Sequence, residues 1–284
     1  MGRFEEPDPA ELGFYGRVIR RFGEPALDLG CGTGRILLSL LAEGLDVDGV
    51  DVSGDMIRLA EETARSRGLA AGLRVQAGHE LDLPRRYRTI YLCGVFGIGG
   101  RRDWDREMLH GAFRHLEPGG ALIIWHPFPY EGVDTERWAM WLPGGRSALP
   151  RSWRDAGDRK RAADGDEIEL IGRLVGFDPL AQRHDLEMRA RLWRGDQLVA
   201  EEAGALSENL YFAQEILLLL DEAGFRDVEI EGGYHGRPAT SDDDHCGLHR
   251  PPTARRGRRR LSPRHDPGAG AGSNGHTCAT ICGP

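Results

Sequence analysis

The chain is nearly free of lysine. Lys160 is the only one, so arginine supplies 36 of its 37 basic residues. With 40 glycines and abundant alanine, that bias reads as the mark of a GC-rich genome. Cysteine is also scarce: of five, Cys246, Cys278 and Cys282 lie in the last part of the chain. No pair has zinc-finger spacing, so neither a disulfide framework nor a metal site is expected, and the compartment reads as reducing. No run approaches the roughly 18 consecutive apolar residues of a membrane helix. The opening Met1-Gly2-Arg3-Phe4-Glu5-Glu6-Pro7 lacks the apolar core of a signal peptide. A cytoplasmic protein without a membrane partner is expected. The net charge of −8 is uneven: residues 245–284 hold seven arginines against Asp266, leaving residues 1–244 near −14. An acidic body argues against nucleic acid as the main partner, because phosphate neutralisation dominates such binding.

At 284 residues the chain can bury one good core plus an insertion. Short apolar strands alternate with helices in the first half. Residues 10–22 read as a helix, Ala26–Leu29 as strand one, Ile36–Glu43 as a helix ended by Gly44, and Val47–Asp51 as strand two. Ser53 caps a helix running to about Arg67. Leu73–Gln76, Thr89–Cys93 and Ala121–Trp125 are strands three to five, with a helix over Asp105–Leu116. This alternation predicts an α/β fold with a doubly wound sheet, whose ligands sit beyond the carboxyl ends of the strands. The pattern changes after His126. Three alternating runs, Glu167–Phe177, His184–Trp193 and Gln197–Leu206, predict an antiparallel sheet, with Gly195-Asp196 as a hairpin turn. A helix near Asn209–Ala223 and a strand at Val228–Glu231 return to the core. The organisation expected is a core of residues 1–126 and 207–236, an antiparallel lid over 127–206, and an unstructured tail over 237–284.

The most informative run is Leu27-Asp28-Leu29-Gly30-Cys31-Gly32-Thr33-Gly34-Arg35. Its glycines permit close backbone approach to a ligand, and the following helix turns free N–H groups toward it. A dinucleotide fingerprint, Gly-x-Gly-x-x-Gly with an acid about 20 residues on, is one reading. Here the third glycine falls one residue early and Arg35 stands in its place. Asp28 would repel a diphosphate, but it suits the cationic amino-acid end of S-adenosylmethionine. A glycine turn that is merely structural stays open on this run alone.

Three further stretches join it. Val-Asp-Gly-Val-Asp-Val-Ser-Gly-Asp-Met at 47–56 looks like an acidic ribose loop entering a helix. Leu-Glu-Pro-Gly-Gly-Ala-Leu-Ile at 116–123 looks like the turn before strand five. Glu222-Ala223-Gly224-Phe225 looks like the approach to strand six. With these, residues 10–235 resemble the class I S-adenosylmethionine-dependent methyltransferases of small-molecule type, a Rossmann-like family. The resemblance implies that S-adenosyl-L-methionine is the cofactor. It places Asp28 and Gly30 at the methionine part, Cys31 among the cofactor-binding residues, and Gly32 and Gly34 where the backbone is approached. Asp51 would accept the ribose hydroxyls, and Val52 and Met56 would lie against adenine. Tyr15 would cover the methionine end, although Phe14-Tyr15 also reads as core packing. Many family members carry an acid after strand three for the adenine amino group. Here Gln76-Ala77-Gly78-His79-Glu80 has none at that place, leaving Gln76 and Ala77, or Glu80, to face the purine.

His126 is the candidate catalytic base, since it follows strand five at the ligand edge with a near-neutral unperturbed pKa. A loop-bonding role is the plainer reading. Tyr130 and Trp141 are candidate substrate contacts, with Trp138 and Trp153 as further members of an aromatic cage or of the lid's own core. The function expected is methyl transfer to an oxygen or nitrogen of a small molecule. An NAD(P)-dependent oxidoreductase and a catalytically silent cofactor-binding protein are the alternatives.

The C-terminal end departs from the family. A seventh strand is expected there, yet His245-Cys246-Gly247-Leu248-His249-Arg250-Pro251-Pro252 has no apolar run and ends in two prolines. Reading the codons one base later near Asp244 can give Thr-Thr-Ala-Val-Phe-Ile-Ala-Arg, an apolar strand. A shift of frame and a natural basic tail both account for this sequence, and either predicts that the final strand is missing.

Overall fold

The computed structural model describes residues 7–129, 138–161, 165–234, 236–240, 243 and 245–249. Helix α1, Pro9–Phe22, starts where Asp8 accepts hydrogen bonds from the N–H groups of Ala10 (2.7 Å) and Glu11 (3.3 Å). Pro9 occupies the first helical position, where its missing N–H costs nothing. Phe14, Tyr15, Val18, Ile19 and Phe22 form its buried face. Each such side chain contributes roughly 1.5–3 kcal/mol on burial.

Beneath α1 lies a seven-stranded sheet built in βα units: β1 (Ala26–Leu29), α2 (Arg35–Ala42), β2 (Val47–Asp51), α3 (Gly54–Ser66), β3 (Gly72–Val75), β4 (Tyr87–Cys93), α4 (Arg102–His115) and β5 (Leu116–Pro127). These five strands are parallel, in the spatial order β5-β4-β1-β2-β3. Strand order reverses between β1 and β4, so their carboxyl ends open the crevice where ligands of such sheets bind. Both faces of the sheet are covered, which is why β1 is buried at every position.

The antiparallel sheet contains β6 (Asp158–Arg161), β7 (Glu167–Asp178), β8 (Arg183–Arg194) and β9 (Gln197–Asn209). β6 was not expected; its charged sequence Asp-Arg-Lys-Arg carries no strand pattern, and pairing with β7 creates it. The expected hairpin turn is present, with Gly195 at φ +59°. The sheet is tied to the core by backbone. Asn209 N–H donates to the Gly97 carbonyl (2.9 Å) and Gly99 N–H to the Ser207 carbonyl (2.8 Å). Gly97 allows this approach: with φ at +94°, a Cβ there would lie 2.6 Å from the Asn209 carbonyl oxygen. Buried Asp105 reinforces the seam, accepting from the Tyr211 hydroxyl (2.6 Å) and the Asn209 amide (2.7 Å). Helix α5 (Ala213–Glu222) then leads to β10 (Glu229–Gly232).

The expectation of a missing final strand is corrected here. His245–His249 forms β11, antiparallel to both β10 and β5, with Leu248 opposite Ile230 and Ile124. The physical reason is tertiary. β5 and β10 leave a gap one strand wide, and backbone pairing on both sides holds a segment whose own pattern is not strand-like. Ahead of it, Ala239 N–H donates to Ile230 (2.9 Å) and Arg237 pairs with Asp243, so the expected unstructured tail is ordered at these positions. Residues 250–284, where the rest of that expectation falls, lie outside the described residues.

Candidate functional site

The glycine turn leaves β1 directly over β2: the N–H groups of Gly30 and Cys31 both donate to the Val50 carbonyl at 2.9 Å. Gly30, at φ +88°, presses against Val95 of the loop after β4, where a Cβ would lie 2.8 Å from that side chain. Gly32, at φ +55°, faces open space: a Cβ there would meet nothing within 4 Å. Gly34, at φ +80°, starts α2.

Asp51 ends β2 and organises the turn. Its Oδ2 accepts the Gly32 N–H and its Oδ1 accepts the Ser53 N–H, both at 2.8 Å. Ser53 in turn caps α3 by accepting the Met56 N–H at 3.3 Å. The carboxylate is thereby fixed, and each of its oxygens retains a lone pair for a further donor. Next to it, Val52 is 70% exposed, an apolar surface that a flat ring would cover.

Asp28 is 2% exposed, and its Oδ1 has no hydrogen-bond partner among the described residues. Burial raises its pKa to about 7, with the Asp51 charge adding to the rise; the neighbouring Tyr91 hydroxyl works against it. Tyr91 stands beside Asp28 because the two residues are register partners in β4 and β1. A buried carboxyl with one oxygen unpartnered among the described residues fits a cationic group.

Tyr15 lies deeper, 1% exposed, with its ring 4.8 Å from that of Tyr91 and 5.1 Å from that of Phe14. Tyr234 and Trp125 extend the same aromatic layer. The pattern of the chain did not single out Tyr91, Tyr234 or Trp125. Parity does place Tyr91 on the face of β4 that carries Cys93.

Arg35, the residue that breaks the dinucleotide pattern, has a specific partner. It makes a two-pronged pair with Glu11 of α1. The Cys93 thiol donates to Glu11 at 3.2 Å and the Tyr234 hydroxyl at 3.4 Å. Burial alone would raise the Glu11 pKa, but the bonds from Arg35 and Cys93 outweigh it and hold the carboxyl below its ordinary value. Burial pushes the Cys93 thiol up to about 12, and that of Cys31 upward as well, so neither is a nucleophile at neutral pH.

The loop after β3 begins beside Asp51, whose carbonyl accepts the Gln76 N–H at 2.9 Å. The Gln76 side chain is bonded to the Asp82 backbone at both ends. His126 is 2% exposed at the end of β5, in edge-on contact with Phe96 and Tyr211. Burial lowers its pKa to about 4, while the Glu208 charge and a bond to the Tyr211 backbone act in the opposite direction. Trp141 joins Trp138, Phe177 and Phe212 in an aromatic cluster. Trp153 belongs elsewhere, with the guanidinium groups of Arg173 (4.7 Å) and Arg189 (4.1 Å) over its ring. Tyr130 lies outside the described residues.

The donor set therefore fits S-adenosylmethionine: a buried carboxyl with an orphaned oxygen for its ammonium, a fixed carboxylate for its ribose, and an exposed apolar residue for its base. The fit makes a prediction about pH. A raised Asp28 pKa means that the ligand-free fold is stabilised by its protonated form. That contribution is complete below the unfolded value near 4 and is lost as pH rises through 7. Binding of an ammonium group requires the carboxylate, so affinity should run the other way. We expect S-adenosylhomocysteine to bind up to about tenfold more tightly at pH 8 than at pH 6. Calorimetry across this range should show the slope in the wild type and a flat profile in Asp28→Asn.

Comparison with known proteins agrees with this assignment. A family model described as a methyltransferase domain matches residues 26–120. The cypemycin N-terminal methyltransferase of a Streptomyces species is 25% identical over 223 residues, covering 77% of this chain and 79% of that protein. A ubiquinone biosynthesis O-methyltransferase of Pectobacterium atrosepticum is 24% identical over 178 residues, covering 62% of this chain and 70% of its own length. Among solved structures, an S-adenosylmethionine-dependent methyltransferase from Clostridium acetobutylicum superposes with a TM-score of 0.67 at 18% identity, covering 84% of this chain and 89% of that one.

Proposed function

We propose that this chain is a class I S-adenosylmethionine-dependent methyltransferase that transfers the methyl group to an oxygen or nitrogen atom of a small molecule. The observation that carries the cofactor assignment is the pairing of Asp28, buried with an unpartnered oxygen, with Asp51, whose carboxylate is fixed by Gly32 and Ser53. A dinucleotide would bring its diphosphate against Asp28 and Glu11, and Arg35 is already committed to Glu11.

The bound cofactor supplies an electrophilic methyl on a sulfonium. The protein aligns an acceptor with it and keeps water out, and orientation of this kind supplies about 7–11 kcal/mol. We assign the cofactor contacts to Tyr15, Asp28, Gly30, Cys31, Gly32, Gly34, Asp51, Val52, Met56 and Ala77, with Gln76 holding the loop beside them. The antiparallel sheet and Trp141 are assigned to the acceptor side. The seam at Gly97, Gly99, Ser207 and Asn209 supports this, because it sets that sheet beside the loop whose Val95 touches the glycine turn.

His126 is neutral at physiological pH, since burial holds its pKa near 4. A neutral ring carries one N–H and one lone pair. Such a ring accepts a hydrogen bond from an acceptor N–H or O–H and orients it, but it is a poor reservoir for the proton. His126→Gln is therefore expected to lower kcat by about ten- to hundredfold. S-adenosylhomocysteine affinity should stay unchanged. Turnover on a panel of small amines, phenols and alcohols, followed by release of S-adenosylhomocysteine, tests both the acceptor atom and this role. Transfer to a carbon centre alone would contradict the proposal.

A further inference from the structure

The purine end of the cofactor site departs from what a base-reading site requires; this inference rests on the methyltransferase assignment. Because Gln76 N–H donates to the Asp51 carbonyl at 2.9 Å, a ribose held by Asp51 carries its base toward residues 76–82. The polar side chains of that loop are engaged elsewhere or turned outward. Gln76 Nε2 donates to the Asp82 carbonyl (3.3 Å) and its Oε1 accepts the Asp82 N–H (3.2 Å), closing the loop on itself. The His79 ring is stacked on Trp104 at 4.1 Å and 5°, and the Arg101 guanidinium lies 4.6 Å from the same indole. The Glu80 side chain is 74% exposed and sits 3.8 Å from His79 Nε2. Asp82 is exposed, and the Ala77 side chain has no polar atom.

We propose that no side chain of this loop reads the 6-amino group of the cofactor's purine, and that Gln76 is a positioning residue that holds the loop closed beside the base. The purine is then held by its faces, against Val52 and Met56, and by its ribose. A site that hydrogen-bonds a ligand N–H rejects the analogue lacking it by as much as about 10⁴-fold, because the buried partner is left unpaired. A site that leaves this edge unread tolerates cofactors altered there. The ligand class predicted is thus wider than adenosyl: sulfonium and thioether nucleosides lacking the 6-amino group should also bind.

The test is calorimetry on the full chain with S-adenosylhomocysteine and its 6-deamino counterpart, in which purine riboside replaces adenosine. Wild type, Gln76→Ala, Glu80→Ala and Asp82→Ala are compared as ligand–variant cycles. The wild-type affinities should agree within about fivefold, and their ratio should be the same in every variant. Gln76→Ala should weaken both ligands equally, by about tenfold, through lost loop closure. A wild-type ratio above about tenfold that falls toward one in any alanine variant would overturn the proposal, since that side chain would be the reader. A large ratio unchanged in all variants would overturn the wider ligand class, since the 6-amino group would then be read by some other group of the site. Glu80 and Asp82 are exposed, so their variants keep the test decisive if Gln76→Ala does not fold. Failure of S-adenosylhomocysteine itself to bind the wild type would refute the methyltransferase assignment rather than this inference.

Discussion

Asp51→Ala is expected to weaken S-adenosylhomocysteine binding by about a hundredfold or more. The carboxylate is held by two N–H groups at 2.8 Å, from Gly32 and Ser53, and presents its remaining lone pairs outward. Two hydrogen bonds to a charged acceptor are lost with it, each contributing about 1.5–3 kcal/mol. The Gly32 N–H also loses its partner, which loosens the turn. Asp51→Asn keeps one acceptor oxygen, and the expected loss is smaller, about tenfold. Isothermal calorimetry distinguishes the two. Equal, small losses in both variants would show that Asp51 shapes the turn without touching the ligand.

Arg35→Ala is expected to destabilise the fold by about 3 kcal/mol, because removing one member of a buried pair strands the other. Glu11 is 7% exposed, so its charge would remain away from water with only the Cys93 thiol and the Tyr234 hydroxyl as partners. Its pKa should rise, since burial is the largest influence on it and the Arg35 bond is the main opposing one. The consequence reaches the site, because Glu11 and Tyr15 stand one turn apart on α1. Denaturant titration of wild type, Arg35→Ala, Glu11→Gln and the double variant checks this. Most of the loss should be recovered in the double variant, where no charge is stranded. Additive losses would mean that the pair is not coupled.

The features legible in the sequence were the local ones. The glycine spacing, the Ser53 cap and the alternation of short strands with helices depend on residues a few positions apart. The structure places them as expected, with Gly30, Gly32 and Gly34 all at positive φ. The antiparallel insertion was legible because period-two alternation over three runs survives without knowledge of the partner. What was not legible depends on distant partners. Arg35 read as an exception to a nucleotide motif, whereas it is the anchor of α1, 24 residues away. Gln76 read as a purine contact, and only the closed loop shows that its amide is occupied by Asp82. Trp153 reads as a member of an aromatic cage or of the lid's own core, and the guanidinium groups of Arg173 and Arg189, from adjacent strands, lie over its ring. The clearest departure is β11. Neither composition nor periodicity marks 245–249 as a strand; the gap between β5 and β10 does.

The central claim is that the crevice between β1 and β4 takes a cationic amino-acid nucleoside rather than a dinucleotide. Calorimetry of the full chain at pH 7.5 with S-adenosylhomocysteine and with NAD tests it most directly. Saturable binding of S-adenosylhomocysteine, weakened in Asp28→Asn, is expected, with no detectable binding of NAD. Tight NAD binding with no response to S-adenosylhomocysteine would contradict it.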